Sequence, residues 1–434
     1  MWGKLYSYPK AILHIDADSF FAACEVALNP KLRGKPVVTG QERGIASAMS
    51  YEAKARGVTR GMTLSEVRRI CPDVVILPSD YETYSLFSER IFNIVRRYTP
   101  DVEEYSIDEC FADITGLRRT LSMSYEKIAA KVKHDLDSEL GITFSVGLAT
   151  TKVLAKVASN WNKPSGLTFI PSADKDIYLK KLSVNKIWGI GTQTSEFLKR
   201  HKIKTAYDFI SKDEEWVTRN LSKPYQETWH ELRGTSVYSV TTKKKESYKS
   251  ISKTKTFTPP SHDRNFIFAQ LSKNIENACI KARRYNMTSD KIRFFLKTQD
   301  FKYKAVEIVL SKSVSVPQEI INVVRPQFDR IFGTRDLYRA TGVTLMNLKE
   351  GTTIQNDLFG EVTKVKKIND IYKVVDRLDK KYGKHTIFLG SSFRALKGIA
   401  PTLSRWKPTR RKLNLFPGET FRRHIGIPHL GEVV

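Results

Sequence analysis

At 434 residues, with 41% apolar and 11% aromatic side chains, the chain is too long for one core and apolar enough to bury several. Its 73 lysines and arginines against 46 aspartates and glutamates leave +27, more than solubility requires, which points to a polyanionic partner. No apolar run of about 18 residues or signal-peptide pattern appears, so nucleic acid is expected rather than a membrane.

Cys24, Cys71, Cys110 and Cys279 are far apart, and the eight histidines show no paired metal spacing. This excludes a zinc site or disulfide framework and fits reduced thiols in the cytoplasm.

Residues 10–16 read as a buried strand that delivers Asp16, after which Asp18 and Ser19 are expected to cap a helix from Phe20. A second strand covers Pro36–Thr39, and Tyr51–Gly57 is a short helix closed by glycine. Tyr51 and Lys54 share one face of it. An aromatic hydroxyl beside an ammonium suits a triphosphate, and it equally suits a packed tyrosine beside a solvated lysine.

The stretch 80–98 is helical by its spacing of Tyr84, Phe87, Ile91 and Val95. Val102–Thr115 alternates like a hairpin. Neighbouring strand residues face opposite ways, so Asp108 and Glu109 can serve one site only if the strand breaks there; a turn or bulge is predicted. Glu103 and Glu104 are expected to be solvated. Carboxylates that converge from distant strands offer the hard oxygens that a two-Mg²⁺ phosphoryl-transfer site needs. Acid pairs beside strands are also ordinary solvated turns, and the residues alone leave both readings open.

A helix over 125–140, a strand over 143–147, a helix over 151–159, a turn at 162–166 that presents Lys163 and a strand over 167–170 complete an α+β unit with helices on one face. A second unit starts near Pro171. Gly189 and Gly191 in Ile187-Trp188-Gly189-Ile190-Gly191 read as a helix-hairpin-helix whose backbone N–H groups can meet a DNA phosphate, or as an ordinary glycine turn.

Lys243, Lys244, Lys245, Lys249, Lys253 and Lys255 against Glu246 form a basic linker. Helices over 266–285 and 317–332 then alternate with strands over 290–298, 303–310 and 337–345, a separate α+β domain with Arg293 on a positive side. The last stretch, 351–434, holds 17 lysines and arginines against 7 acids. It contains an amphipathic helix near Val362–Tyr382 and is loop-rich beyond Gly383.

In combination these stretches resemble the Y-family (translesion) DNA polymerases of the DinB-like branch. The match runs through Ile15-Asp16-Ala17-Asp18-Ser19-Phe20-Phe21-Ala22, Ser50-Tyr51-Glu52-Ala53-Lys54, Tyr105-Ser106-Ile107-Asp108-Glu109, Ser145-Val146-Gly147-Leu148 and Ala158–Gly166, in order over about residues 10–350. The resemblance implies an α+β right hand: palm at 1–21 and 80–170, fingers at 22–79, helix-hairpin-helix thumb at 171–239, basic linker at 240–247, little finger at 248–350 and a basic tail at 351–434.

It implies that Asp16, Asp108, Glu109 and the carbonyl of Ala17 bind two Mg²⁺, with Mn²⁺ as a substitute, for attack of a primer 3′-hydroxyl on a dNTP. It also implies that Phe21 is the steric gate against a ribose 2′-hydroxyl, with Phe20 in the core. Tyr51, Lys54 and Lys163 would contact the triphosphate, and Ser47 would lie over the nascent base pair. Gly189, Gly191, Lys243, Lys244, Lys245 and Arg293 would contact primer-template DNA. The implied enzyme is an error-prone monomer of damage tolerance, without proofreading, near the bacterial nucleoid.

Lys54 stands where the family more often has Arg, trading a bidentate fork for a point charge. Thr151 and Ser165 replace expected asparagines. Gln355, Leu358 and Phe359 are similar to the motif by which bacterial polymerases hold a sliding clamp, although Asn356 replaces a leucine; Lys412–Phe416 is a weaker second stretch. A nucleotidyl cyclase or nuclease would use the same acid pair, but a cyclase needs no DNA groove. An inactive DNA-binding protein would not need the acid triad.

Overall fold

The structure, a computed structural model, describes residues 8–242, 248–351, 361–382 and 385–396. The chain divides into two compact units, one up to residue 243 and the other from residue 244.

The first unit opens with β1 (Ile12–Ala17), whose apolar residues are buried on both faces. Leu13, Ile15 and Ala17 enter one hydrophobic cluster and Ile12 another, so strand alternation leaves His14 and Asp16 on the Ile12 face. α1 (Phe20–Leu28) follows without the predicted cap. Ser19 has φ 52° and makes no side-chain capping bond, while the Asp18 carboxylate is taken up elsewhere in the fold.

Three short strands, β2 (Val37–Thr39), β3 (Ala48–Met49) and β4 (Val75–Leu77), form a sheet in the order β3-β2-β4. They share a core with α2 (Tyr51–Ala55) and α3 (Leu64–Ile70) through Val38, Met49, Ala53, Leu64 and Val67. Hydroxyls start both helices: Ser50 accepts from the Ala53 N–H, and Thr63 with Glu66 closes a reciprocal capping box.

The main sheet continues after α4 (Tyr81–Arg96) with β5 (Val102–Glu104) and β6 (Glu109–Asp113). Then come α5 (Leu117–Thr120), α6 (Tyr125–Leu140), β7 (Phe144–Ala149), α7 (Lys152–Trp161) and β8 (Leu167–Ile170). Its strand order is β5-β6-β1-β7-β8, with β1 antiparallel to both neighbours and β8 parallel to β7. The predicted break is present. Residues 105–108 form a turn in which the Tyr105 and Ser106 N–H groups both donate to the Glu109 carbonyl, at 3.2 and 3.1 Å.

Helices on one face only were expected, and the structure differs. α4 and α6 cover Leu13 and Ile15, whereas α7 lies on the opposite face over Ile12 and Phe111. Gly147 permits this approach: a Cβ there would meet the Ala155 carbonyl oxygen at 2.2 Å and the Ser159 nitrogen at 2.3 Å.

Five helices follow: α8 (Lys175–Lys181), α9 (Thr192–Arg200), α10 (Ala206–Ile210), α11 (Glu214–Asn220) and α12 (Lys223–Arg233). Leu179, Leu198, Phe209 and Leu232 pack with Val153 and Leu154 of α7 in one cluster. Gly189 takes a left-handed φ of 86°, and Gly191 stands at the N-cap of α9, which has no side-chain cap.

The second unit runs β9 (Ile251–Ser261), α13 (Arg264–Arg284), β10 (Met287–Thr298), β11 (Tyr303–Val314), α14 (Pro317–Ile331) and β12 (Tyr338–Glu350). All pairings in its β11-β10-β12-β9 sheet are antiparallel. α13 and α14 cover the face that holds Ile292, Phe294 and Leu296, and Arg293 is exposed on the other. β9 corrects the reading of Lys249–Lys255 as linker. Ile251, Thr254, Thr256 and Phe257 are strand formers, and the interleaved lysines mark an edge strand.

α15 (Glu361–Tyr382) agrees with the predicted helix. Within residues 385–396, the described part of the stretch after Gly383, residues 390–392 form a 3₁₀ turn that leads into α16 (Phe393–Leu396). Lys243, Lys244, Lys245, Gln355, Leu358 and Phe359 lie outside the described residues.

Candidate active site

Antiparallel register, not sequence proximity, assembles the acidic centre. Asp16 on β1 pairs directly with Glu109 on β6 and with Ser145 on β7. Glu109 and Phe111 therefore share a face with Asp16 and His14, beneath α7. His14, Asp16 and Glu109 bring ligand-capable atoms within 4.8 Å of one another, the arrangement among the described residues suited to a metal ion. The Ala17 N–H donates to the Asp108 carbonyl at 2.9 Å, which ties the 105–108 turn to the end of β1. The Asp108 carboxylate itself accepts from the Ser106 hydroxyl and stands outside that three-residue cluster.

Two lysines balance this charge. Lys163 donates to Asp16, and Lys156 on α7 donates to Glu109 at 2.5 Å. Burial raises the Asp16 carboxyl above the ordinary range, against the pull of Lys163. Burial also works to raise Glu109, but hydrogen bonds from His14 and Lys156 outweigh it and hold Glu109 below the usual range. His14 is wholly buried. Its Nδ1 shares a 2.7 Å hydrogen bond with the Ser159 hydroxyl, its Nε2 lies 3.3 Å from Glu109, and burial lowers its pKa to about 4. The two carboxylates supply hard anionic oxygens, while His14, held by Ser159 and beside Glu109, adds only a neutral nitrogen. That donor chemistry fits a divalent cation with oxygen ligands.

Around this centre, Phe20 is buried in the core, while half-buried Phe21 stacks on Tyr84 at 4.3 Å and meets Tyr81 edge-on at 5.5 Å. Lys54 lies 4.0 Å over the Tyr51 ring and donates to Ser19 at 2.9 Å, so the two residues do stand together. Ser47 is in the β2–β3 connection, where its carbonyl accepts from Arg60 at 2.9 Å.

The impB/mucB/samB family profile matches residues 15–160, and the profile of that family's C-terminal domain matches 248–358. A DNA polymerase IV of Clostridium kluyveri is 30% identical over 399 residues, covering 89% of this chain and 99% of its own. The chain belongs to the Y-family of DNA polymerases. A DNA polymerase IV of Streptococcus pyogenes is 31% identical over 347 residues, or 79% of this chain and 94% of the relative. Among solved structures, a Y-family chimera of Dbh and Dpo4 superposes with a TM-score of 0.65 at 26% identity, covering 78% of this chain and 99% of that one. A ternary complex of Dbh DNA polymerase gives 0.52 at 25% identity, covering 77% and 98%. This is a DNA-directed DNA polymerase of the DinB-like branch with the α+β right-hand fold. No helix among the described residues is long and apolar enough to cross a membrane.

Two neighbours of the acids, and one ion pair at the start of α7, escaped the sequence reading. His14 and Lys156 surround the acids, and Glu103, expected to be solvated, accepts from Lys152 at 2.7 Å on both oxygens and from the Thr241 N–H at 2.8 Å. The alternation that put Asp16 on the α7 face could have placed His14 there too. Lys156 and Glu103 needed the position of α7, which sequence spacing does not reveal. Thr151 caps α7 through the Leu154 N–H and donates to the Glu231 carbonyl at 2.9 Å, two bonds that suit a threonine at this position.

Proposed function

We propose that this polymerase extends a primer on a DNA template in the translesion manner, through a centre in which Asp16, Asp108, Glu109 and the Ala17 carbonyl hold two Mg²⁺. The observation that supports this most is the direct pairing of Asp16 with Glu109, with Asp108 in the turn tied to Ala17. Bound Mg²⁺, or Mn²⁺ in its place, supplies positive charge for the attacking 3′-hydroxyl and the departing pyrophosphate.

The chain's own residues do the rest. Lys156 and His14 keep Glu109 ionised and oriented. Lys163, Lys54 and Tyr51 take the triphosphate, where preorganised donors are worth most. Phe21, held flat against Tyr84, bars a 2′-hydroxyl, and Ser47 lies over the nascent pair.

Residues 1–21 and 80–170 act as palm, 22–79 as fingers, 171–239 as thumb and 248–350 as little finger, joined by the basic linker 240–247. Gly189, Gly191 and the uncapped start of α9 position a DNA phosphate, with Lys243, Lys244, Lys245 and Arg293 along the backbone. The enzyme works as a monomer in cytoplasmic damage tolerance, without proofreading, and Gln355, Leu358 and Phe359 engage a sliding clamp.

The test is primer extension with Mg²⁺ and single dNTPs on undamaged and abasic templates, beside Asp108→Ala. Extension by the wild type on both templates and by the variant on neither is expected. Wild-type rates in Asp108→Ala would overturn the metal assignment, and a block at the abasic site would overturn the translesion role.

A further inference from the structure

Asp18 is buried, stands two residues beyond Asp16, and takes no part in the capping bond first expected of it. Its carboxylate gathers three distant segments. Oδ2 accepts the Ser165 N–H at 2.7 Å, from the turn that presents Lys163. Oδ1 accepts the Ser145 hydroxyl of β7 at 2.8 Å, and the Tyr51 hydroxyl of α2 lies at 3.4 Å. Ser145 in turn accepts the Gly166 N–H at 3.4 Å, so two successive amides of the Lys163 turn end on the Asp18–Ser145 pair. The backbone is pinned as well, since the Asp18 N–H donates to the Thr143 carbonyl at 2.9 Å.

We propose that Asp18 is a positioning residue for the incoming nucleotide, setting the Lys163 turn and Tyr51 at the distance a triphosphate requires. This rests on the reading of Lys163 and Tyr51 as triphosphate contacts. Ser165 has φ 56°, a conformation that few side chains favour, and the hydrogen bond from its N–H to Asp18 helps hold it there. Without that carboxylate the Ser165 end of the turn loses its hydrogen bond to the residue after β1, although the Val146 N–H still ties Gly166 to β7 at 2.9 Å, and Lys163 shifts with it. Asparagine is the informative replacement. Its carbonyl oxygen can still accept from Ser165, while its NH₂ donates to Ser145 or Tyr51, hydroxyls that accept as readily as they donate.

The experiment combines single-nucleotide insertion kinetics with equilibrium dNTP binding to enzyme on a dideoxy-terminated primer. The variants are Asp18→Ala, Asp18→Asn, Lys163→Ala and the Asp18→Ala/Lys163→Ala double. Asp18→Ala is expected to raise both KM and Kd for dNTP about 10- to 100-fold with kcat within about 5-fold, the pattern of lost positioning. Asp18→Asn should recover to within about 5-fold of wild type, and the double variant should be no worse than Lys163→Ala by more than about 3-fold.

Wild-type KM and Kd in Asp18→Ala, with both raised in Lys163→Ala, would overturn the role of Asp18 and leave the Lys163 contact standing. Unchanged values in Lys163→Ala would overturn the underlying reading and this proposal with it. Should Asp18→Ala not fold, Ser145→Ala decides: a rise of about 3-fold or more in KM and Kd supports the role, and wild-type values overturn it.

Discussion

Asp18 in the first unit and Glu276 in the second are both buried carboxylates that collect remote hydroxyls and amides, yet they stand in different surroundings. Asp18 sits beside Asp16, among residues that also reach Tyr51 and Lys163. Glu276 sits on α13, where it accepts from the Ser392 hydroxyl and, at 3.5 Å, from the Leu389 N–H, with His385 at 3.8 Å. Around Glu276, Ser272 bonds Ser391 at 2.7 Å, and Arg283 forks onto Asp376 of α15 at 2.7 Å on both oxygens over the Tyr372 ring. The same device serves two ends. In the first unit it gathers Ser145, Tyr51 and the Ser165 amide beside Asp16, and in the second it fastens residues 385–396 onto α13, with Arg283 holding α15 there through Asp376.

The contrast breaks first at the acids. Glu109→Ala should lower nucleotide incorporation at least about 10³-fold, since it removes a carboxylate that faces Asp16 and accepts from Lys156. DNA affinity should stay near wild type, while the melting temperature falls modestly with the loss of the Lys156 and His14 contacts. A loss of less than about 10-fold, smaller than even the roughly 10²–10⁴-fold typical of a general acid–base group, would move the centre elsewhere.

Next in size is Phe21→Ala, which should improve ribonucleotide insertion relative to deoxyribonucleotide by about 10²-fold, the scale on which a tight apolar pocket rejects an added hydroxyl. Phe21 stacks on Tyr84, which would hold it rigid as the proposed wall, whereas Phe20 is core. Unchanged sugar discrimination would remove Phe21 from that role.

How far these regions could be read from sequence differs for physical reasons. β1, the turn before Glu109 and the ends of α15 were legible, because alternation and helical spacing are local signals. The side-by-side placement of Tyr51 and Lys54 followed from one helical turn. By contrast, β9 was hidden by its lysines, which mimic a solvated linker while sitting on an edge strand. The anchorage of residues 385–396 was invisible because it rests on Ser272, Glu276 and Asn277, polar residues more than a hundred positions away with no periodic apolar pattern. Asp18 misled for a related reason. An aspartate before a helix usually caps it, and only the fold brings Ser145 and the Ser165 amide close enough to compete.

Glu276→Ala sharpens the comparison at the level of stability. The loss leaves the buried Ser392 hydroxyl only Ser272, at 2.8 Å, removes the acceptor of the Leu389 N–H and so weakens the hold on residues 385–396, at a cost of about 1–3 kcal/mol to the second unit. The measurement is thermal or urea unfolding together with hydrogen exchange on α15. Exchange in α15 and α16 should rise while KM for dNTP stays at the wild-type value, the reverse of the pattern expected of Asp18→Ala.

The smallest effect belongs to Arg283→Ala. Its guanidinium is largely buried between Asp376, the Ser315 carbonyl and the Tyr372 ring, so the lost fork leaves the Asp376 carboxylate half-exposed and able to find water. That access limits the cost to about 1–2 kcal/mol, below the cost of stranding a fully buried partner. Arg283→Lys should recover only part of it, because an ammonium cannot reproduce two parallel bonds to one carboxylate while lying flat on an aromatic ring. If the lysine variant matched wild type in unfolding, a point charge would suffice at this junction. If alanine did, the Arg283–Asp376 fork would not be what holds α15 to α13.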